Sequence, residues 1–231
     1  RLPTDLDARL SPLRFFDNGN DFTARAASAA ADLDGDGRDE AIFAMPAGAQ
    51  QTQCGVVVFG ADNRGSATVQ SRDPLLLDEP CADPELAAVD LDADGFVDLV
   101  LLTGESGTDA RKLYVFWNDG TGGFSADART LVSSPEHSPQ AFTALPEAPS
   151  PDGTQPPARR FGIAYVTKDQ VWFASTTNVA RELAAPAIQP GDLNGGTGIA
   201  ASDVNGDGVV DLVVAASGKL SVLKAQLLVS P

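Results

Sequence analysis

Short apolar runs separated by turn-forming residues organise this chain from end to end. A run of small residues (AASAAA at 26–31, ELAAV at 85–89, GIAAS at 198–202) leads each time into an acidic loop. A second apolar run follows at once: EAIFAM, DLVLLT or DLVVAAS. After a polar turn comes a third, GVVVFG, KLYVFW, QVWFA or KLSVL. These runs are short, rich in valine and aromatic residues, and bounded by Gly, Asp, Asn and Ser, which predicts strands joined by tight turns. No segment keeps helical apolar spacing long enough for a long helix, and ELAAPAI at 182–188 offers one helical turn that Pro186 ends. The expectation is an all-β chain.

The pattern repeats. ADLDGDGRDEAIF (31–43), AVDLDADGFVDLVLL (88–102) and ASDVNGDGVVDLVVA (201–215) share one template, and their first acids, Asp32, Asp90 and Asp203, lie 58 and 113 positions apart. The second gap is close to twice the first, so a fourth, eroded copy belongs between them. FGIAYVTKDQVWFA (161–174) fills that slot, aligning without gaps on VDLVVAASGKLSVL (210–223). Its acidic loop has become the proline-rich PEAPSPDGTQPPARR (146–160), an irregular connection. Units of this size with three or four strands are blade-sized, and a blade must pack against neighbours to hide its faces. The chain is therefore expected to be a single β-propeller-type domain over 1–231, with units at about 27–84, 85–141, 142–197 (degenerate) and 198–231. About four blades would close on themselves or form part of a larger ring. Residues 1–26 are positioned to supply the missing outer strand of the last blade.

The acidic loops carry the chemistry. Each has the form D-x-D-x-D-G-x-x-D, in which carboxylates at positions 1, 3 and 5 converge when the backbone curls. Glycine at position 6 permits the bend, the carbonyl at position 7 faces inward, and an acid at position 9 closes the shell. The ligand sets are Asp32, Asp34, Asp36, the Arg38 carbonyl and Glu40; Asp90, Asp92, Asp94, the Phe96 carbonyl and Asp98; and Asp203, Asn205, Asp207, the Val209 carbonyl and Asp211. All-oxygen ligation on a flexible loop selects Ca²⁺, about three structural ions in all, over zinc, copper or Mg²⁺. An EF-hand is excluded, because position 12 is Phe43, Leu101 or Val214 inside a strand-like run and no helix flanks the loop. A single Asp-Gly cluster would read as a solvated turn; three at one spacing read as metal loops.

These loops and their flanking runs resemble the FG-GAP/VCBS repeat family, the blades of integrin α-subunit propellers and of many bacterial surface proteins. The resemblance covers about 27–223, with Val-Phe-Gly at 58–60 as the echo of the family signature and with Glu40 and Asn205 replacing the usual Asp. It implies Ca²⁺ held on one face of a propeller and a ligand, protein or glycan, met by loops of a face. Cys54 and Cys81 in such an extracellular chain suggest a disulfide, two buried thiols being the alternative.

Composition narrows the partners. Acids outnumber bases 32 to 16, for a net charge of −16, which repels phosphate backbones and anionic lipid, so nucleic acid is not expected. Apolar residues at 43% suffice for a core, and no apolar run approaches a membrane span, so no membrane insertion is expected. One histidine, His137 in the polar connector SSPEHSPQ, reads as a solvated loop residue and leaves no histidine triad. Trp117 and Trp172, with Phe116 and Phe173, fall in third runs and read as core rather than as a sugar platform. Asp192 and Asn194 read as a turn. The opening RLPTDLDARL has no signal-peptide pattern, consistent with a trimmed, exported chain. The expected function is a non-catalytic, calcium-stabilised, secreted or cell-surface scaffold, adhesion or recognition module. The alternatives are a calcium-dependent lectin-like glycan-binding module and the accessory domain of a larger secreted enzyme. Self-association, or further blades from a longer chain, would complete the ring.

Overall fold

The computed structural model describes residues 26–47, 53–60, 70–71, 75–92, 94–105, 108–133, 138–145, 162–176, 183–184, 187–188, 195–207 and 210–224. Residues 1–25, His137, the proline-rich segment at 146–160, Asp192, Asn194 and Val209 lie outside them. The described residues contain strands and turns and no helix, so the chain is all-β. No helix in them is long and apolar enough to cross a membrane.

Four small antiparallel sheets follow one another along the chain. The first contains β1 (Ala27–Ala31), β2 (Glu40–Ala47), β3 (Gln53–Gly60), β4 (Gln70–Ser71) and β5 (Leu75–Leu77), with β4 and β5 both pairing with β3. The second runs β6 (Glu85–Val89), β7 (Asp98–Leu102), β8 (Leu113–Phe116), β9 (Thr130–Leu131). The third has β10 (Ala141–Leu145), β11 (Gly162–Val166), β12 (Val171–Thr176), and then β13 (Leu183–Ala184) and β14 (Ala187–Ile188), both on β12. The fourth is β15 (Gly196–Ser202), β16 (Asp211–Ala216) and β17 (Lys219–Leu223). The one helical turn expected, in ELAAPAI, is not formed. Its residues 183–184 and 187–188 pair instead with Ser175–Thr176 and Val171–Trp172, because the open edge of β12 satisfies their backbone groups as a single helical turn would not.

Strand alternation gives every sheet two apolar faces, and this is why the sheets stack. The forward face of the first sheet (Ile42 and Ala44 of β2, Val56 and Val58 of β3) packs on the rear face of the second (Leu99, Leu101, Tyr114, Phe116). The forward face of the second (Val100, Leu102, Leu113, Val115) meets Phe142, Ile163, Tyr165 and Ala174 of the third. Ala164, Val166 and Val171 of the third meet Leu212, Val214 and Ala216 of the fourth. Each cluster is shared by two successive sheets. Among the described residues no cluster joins the fourth sheet to the first.

The aromatic residues of the third runs belong to this core. Phe116 is fully buried, Trp117 is 5% exposed with its indole N–H on Thr130 Oγ1 at 2.8 Å, and Trp172 stacks on Tyr165 at 6.1 Å between centroids. Phe173 packs, partly buried, against the third cluster. Burial pushes the Tyr165 hydroxyl up to about 12. Cys54 in β3 and Cys81, just before β6, form a disulfide, and both residues are fully buried in the first cluster. The bond ties the first sheet to the connection that leads into the second, and it fits an oxidising setting.

A buried arginine makes a second tie. The Arg111 guanidinium, ahead of β8, donates to the carbonyls of Gln140 and of Asp83 (2.6 Å) and lies 3.4 Å from Glu85 Oε1. These groups come from the start of the second sheet and the lead-ins to the second and third. Burial raises the Glu85 carboxyl and lowers the Arg111 guanidinium, each offset in part by the other's charge.

Candidate metal centre

All three acidic loops connect the first two strands of a sheet: β1 to β2, β6 to β7, and β15 to β16. The paired strands on either side fix the two ends of the loop, and aspartate side chains wind the residues between. In the first loop Asp32 accepts from the amides of Gly35 (2.8 Å), Asp36 (3.1 Å) and Gly37 (2.9 Å), and Asp36 accepts from Arg38 (2.9 Å). In the second, Asp90 accepts from Gly95 (3.1 Å), Asp92 from Asp94 (3.3 Å) and Asp94 from Phe96 (2.9 Å). Gly37 and Gly95, at position 6, have φ of 84° and 94°, and nothing lies within 4 Å of where a Cβ would stand. Backbone conformation, not crowding, demands glycine there.

This winding brings carboxylates together. Asp32, Asp34 and Asp36 each place one oxygen within 4.8 Å of the others, and so do Asp90, Asp92 and Asp94. Three hard oxygens at that spacing, with no nitrogen or sulfur donor, fit a calcium-like cation in donor type. In the third loop Asp203 accepts from Gly206 (2.7 Å), and Asn205 both accepts from the Asp207 amide (2.8 Å) and donates to its carboxylate (2.9 Å). Asn205 supplies an amide here where the other two loops have a third acid. Arg38 and Phe96 occupy position 7 in their loops.

Position 9 is distinct from the exposed rim. Glu40, Asp98 and Asp211 are 3%, 1% and 0% exposed, and each accepts from the amide of the residue at position 2: Leu33 (2.8 Å), Leu91 (3.0 Å) and Val204 (3.3 Å). The acid therefore closes its own loop through the backbone. Asp98 takes a second amide, that of Asn118, on its other oxygen (2.9 Å). Burial pushes the Asp98 carboxyl up to about 7 against the pull of those two hydrogen bonds, with a smaller push from Asp92 and Asp94. A cation at the neighbouring aspartates would favour its ionised form.

In the first two loops the side chain at position 2 locks the loop to the core. Leu33 and Leu91 are fully buried, one in the first cluster and the other in the second.

Asn118, 1% exposed and directly after β8 and Trp117, joins the first two loops. Its side-chain amide donates to the carbonyls of Leu33 (2.8 Å) and Val97 (3.0 Å), while its Oδ1 accepts from Gly120 (2.9 Å) and Gly122 (3.0 Å). Sequence reasoning does not single it out. Asn-Asp-Gly at 118–120 signals a turn, and nothing local reveals that its amide reaches a neighbouring sheet.

A scan against protein-family models finds no match for this chain, and a search of the curated proteins returns none either. The reading of the site therefore rests on its own chemistry.

Proposed function

We propose that the chain is a non-catalytic, calcium-stabilised recognition or scaffold module whose four sheets are blades of a β-propeller of the FG-GAP/VCBS kind, working outside the cell. The observation that carries the reading is the convergence of Asp32, Asp34 and Asp36, and of Asp90, Asp92 and Asp94, in loops at the same place in two successive sheets. Without a cation, three carboxylates at that spacing repel one another. A divalent ion removes the repulsion and neutralises the loop, and its role in this reading is structural.

In the proposed sites Asp32, Asp34 and Asp36, with the Arg38 carbonyl and Glu40, hold one ion. Asp90, Asp92 and Asp94, with the Phe96 carbonyl and Asp98, hold another. The third loop, with Asn205 in place of an acid, binds more weakly, through Asp203, Asp207, Asp211 and the Val209 carbonyl. Affinity is expected on the order of 10⁻⁴–10⁻³ M, the range of extracellular modules. That matches a calcium-rich compartment, as does the Cys54–Cys81 bond. Loops of one propeller face would meet a protein or glycan ligand.

Calorimetric titration of chelator-stripped protein with Ca²⁺, and separately with Mg²⁺, tests the proposal. Two sites of matching affinity and a weaker third, all preferring Ca²⁺, are expected. No calcium heat, or equal affinity for the two ions, would overturn it.

A further inference from the structure

Three sheets follow one packing rule, and the fourth breaks it. In register, Leu220 and Val222 of β17 correspond to Val56 and Val58 of β3, to Leu113 and Val115 of β8, and to Val171 and Phe173 of β12. Val56, Leu113 and Val171 are at most 2% exposed, whereas Leu220 is 76% exposed. Val58 and Val115 are likewise buried, whereas Val222 is 43% exposed. The loop residue at position 2 tells the same story: Leu33 and Leu91 are fully buried, yet Val204 is 52% exposed. Val213 and Ala215 of β16 pair with Val222 and Leu220 and share their face. This forward face is therefore an apolar sheet surface of the kind that, in each of the first three sheets, carries another sheet.

We propose that it is a self-association surface, covered by the same face of a second copy of this chain across a twofold axis. Continuity with the three internal interfaces requires an apolar sheet as occupant. The rear face of the first sheet is a poor acceptor, because its Val57 and Phe59 are already only 4% and 9% exposed. A twofold pairing needs one open face alone, and it is the commonest symmetry of soluble oligomers. Charge agrees. Although the chain carries −16, the acid on the strands of this face is Asp211, which is fully buried; the exposed Asp203 and Asp207 lie beside Val204 in the loop at its end, where bound calcium would offset their charge. Lys219, the first residue of β17, and Lys224, just after it, oppose edge-to-edge pairing, which leaves face-to-face packing of two sheets about 10 Å apart.

Sedimentation analysis of the full chain over a dilution series, with calcium present, tests this. The wild type is expected as a species of twice 23.9 kDa that dissociates on dilution. Leu220→Glu, at an exposed position that leaves folding intact, should raise the dimer dissociation constant at least about tenfold. Val222→Lys should do the same, and Leu131→Glu, at a position about as exposed as Val222 but on the second sheet, should change nothing. Circular dichroism checks that each variant is folded. A wild type that stays at 23.9 kDa at every concentration would overturn the proposal, showing the face open or covered by another segment or protein. So would a folded Leu220→Glu that dimerises as well as the wild type.

Discussion

The side-chain amide of Asn118 donates to the carbonyl oxygen of Leu33 at 2.8 Å, across 85 positions of sequence. Leu33 lies between two of the convergent aspartates of the first loop, while the Asn118 backbone amide sits on Asp98 of the second loop at 2.9 Å. One buried residue thus holds both loops to the same framework. Replacing it with alanine leaves the carbonyls of Leu33 and Val97 and the amides of Gly120 and Gly122 without these partners. Asn118→Ala should cost about 3 kcal/mol or more, read as a lower urea midpoint. Asn118→Asp should be comparably damaging, since a carboxylate cannot donate to the two carbonyls. A loss below about 0.5 kcal/mol, the range of an ordinary surface substitution, would show the bridge to be dispensable.

Fold and site were legible in the sequence to different depths. Alternating runs such as GVVVFG and DLVLLT are strands because a β surface repeats every two residues, and that period is visible in the letters. The acidic loops were equally plain, since Asp32, Asp34 and Asp36 need only local winding to meet. The part played by Glu40, Asp98 and Asp211 was less visible. All three read as ligands, and the structure also gives each a backbone amide seven residues back. Asn118 and Arg111 could not be read at all, because their partners lie in other sheets and no local period encodes sheet stacking. ELAAPAI misleads for the same reason: its strand pairing depends on an edge that the third sheet supplies.

Arg111 should be intolerant of change. Arg111→Met removes the donors to Gln140 and Asp83 and leaves Glu85 without its counter-charge, so a loss of about 3 kcal/mol is expected from thermal or urea unfolding. Arg111→Lys should recover only part of it, because a single ammonium cannot reach three acceptors set for a planar fork. Full rescue by lysine would mean that charge alone matters at this position.

Breaking the disulfide should weaken the chain without unmaking the other sheets. Cys54 and Cys81 close a loop of 27 positions, worth about 3–4 kcal/mol in chain-entropy terms. A Cys54→Ala, Cys81→Ala double variant, compared with the oxidised wild type, should show that loss as a lower denaturant midpoint with β-type circular dichroism retained. Equal midpoints for oxidised and reduced protein would remove the bond from the account.

Within the loops, the rim aspartates should matter for calcium and little else. Asp94→Asn should weaken calcium at the second loop at least about tenfold while leaving metal-free stability almost unchanged, since Asp94 is exposed, accepts from the Phe96 amide and is not part of the core. Asp119→Asn makes a fair comparison: it disturbs an exposed turn in the same sheet and should leave calcium affinity as it was. Similar affinity losses in the two variants, measured by calorimetric titration, would argue against the assignment of the loop.

Thermal unfolding of the full chain, with calcium and then with an excess of chelator, addresses the central claim most directly. A cation that binds only the folded chain stabilises it by about 2.7 kcal/mol per site at 100 times its dissociation constant. Two filled loops should therefore raise the melting temperature by about 10 °C or more, reversibly on chelation, for a chain of this length. A melting temperature identical in calcium and in chelator would contradict the account.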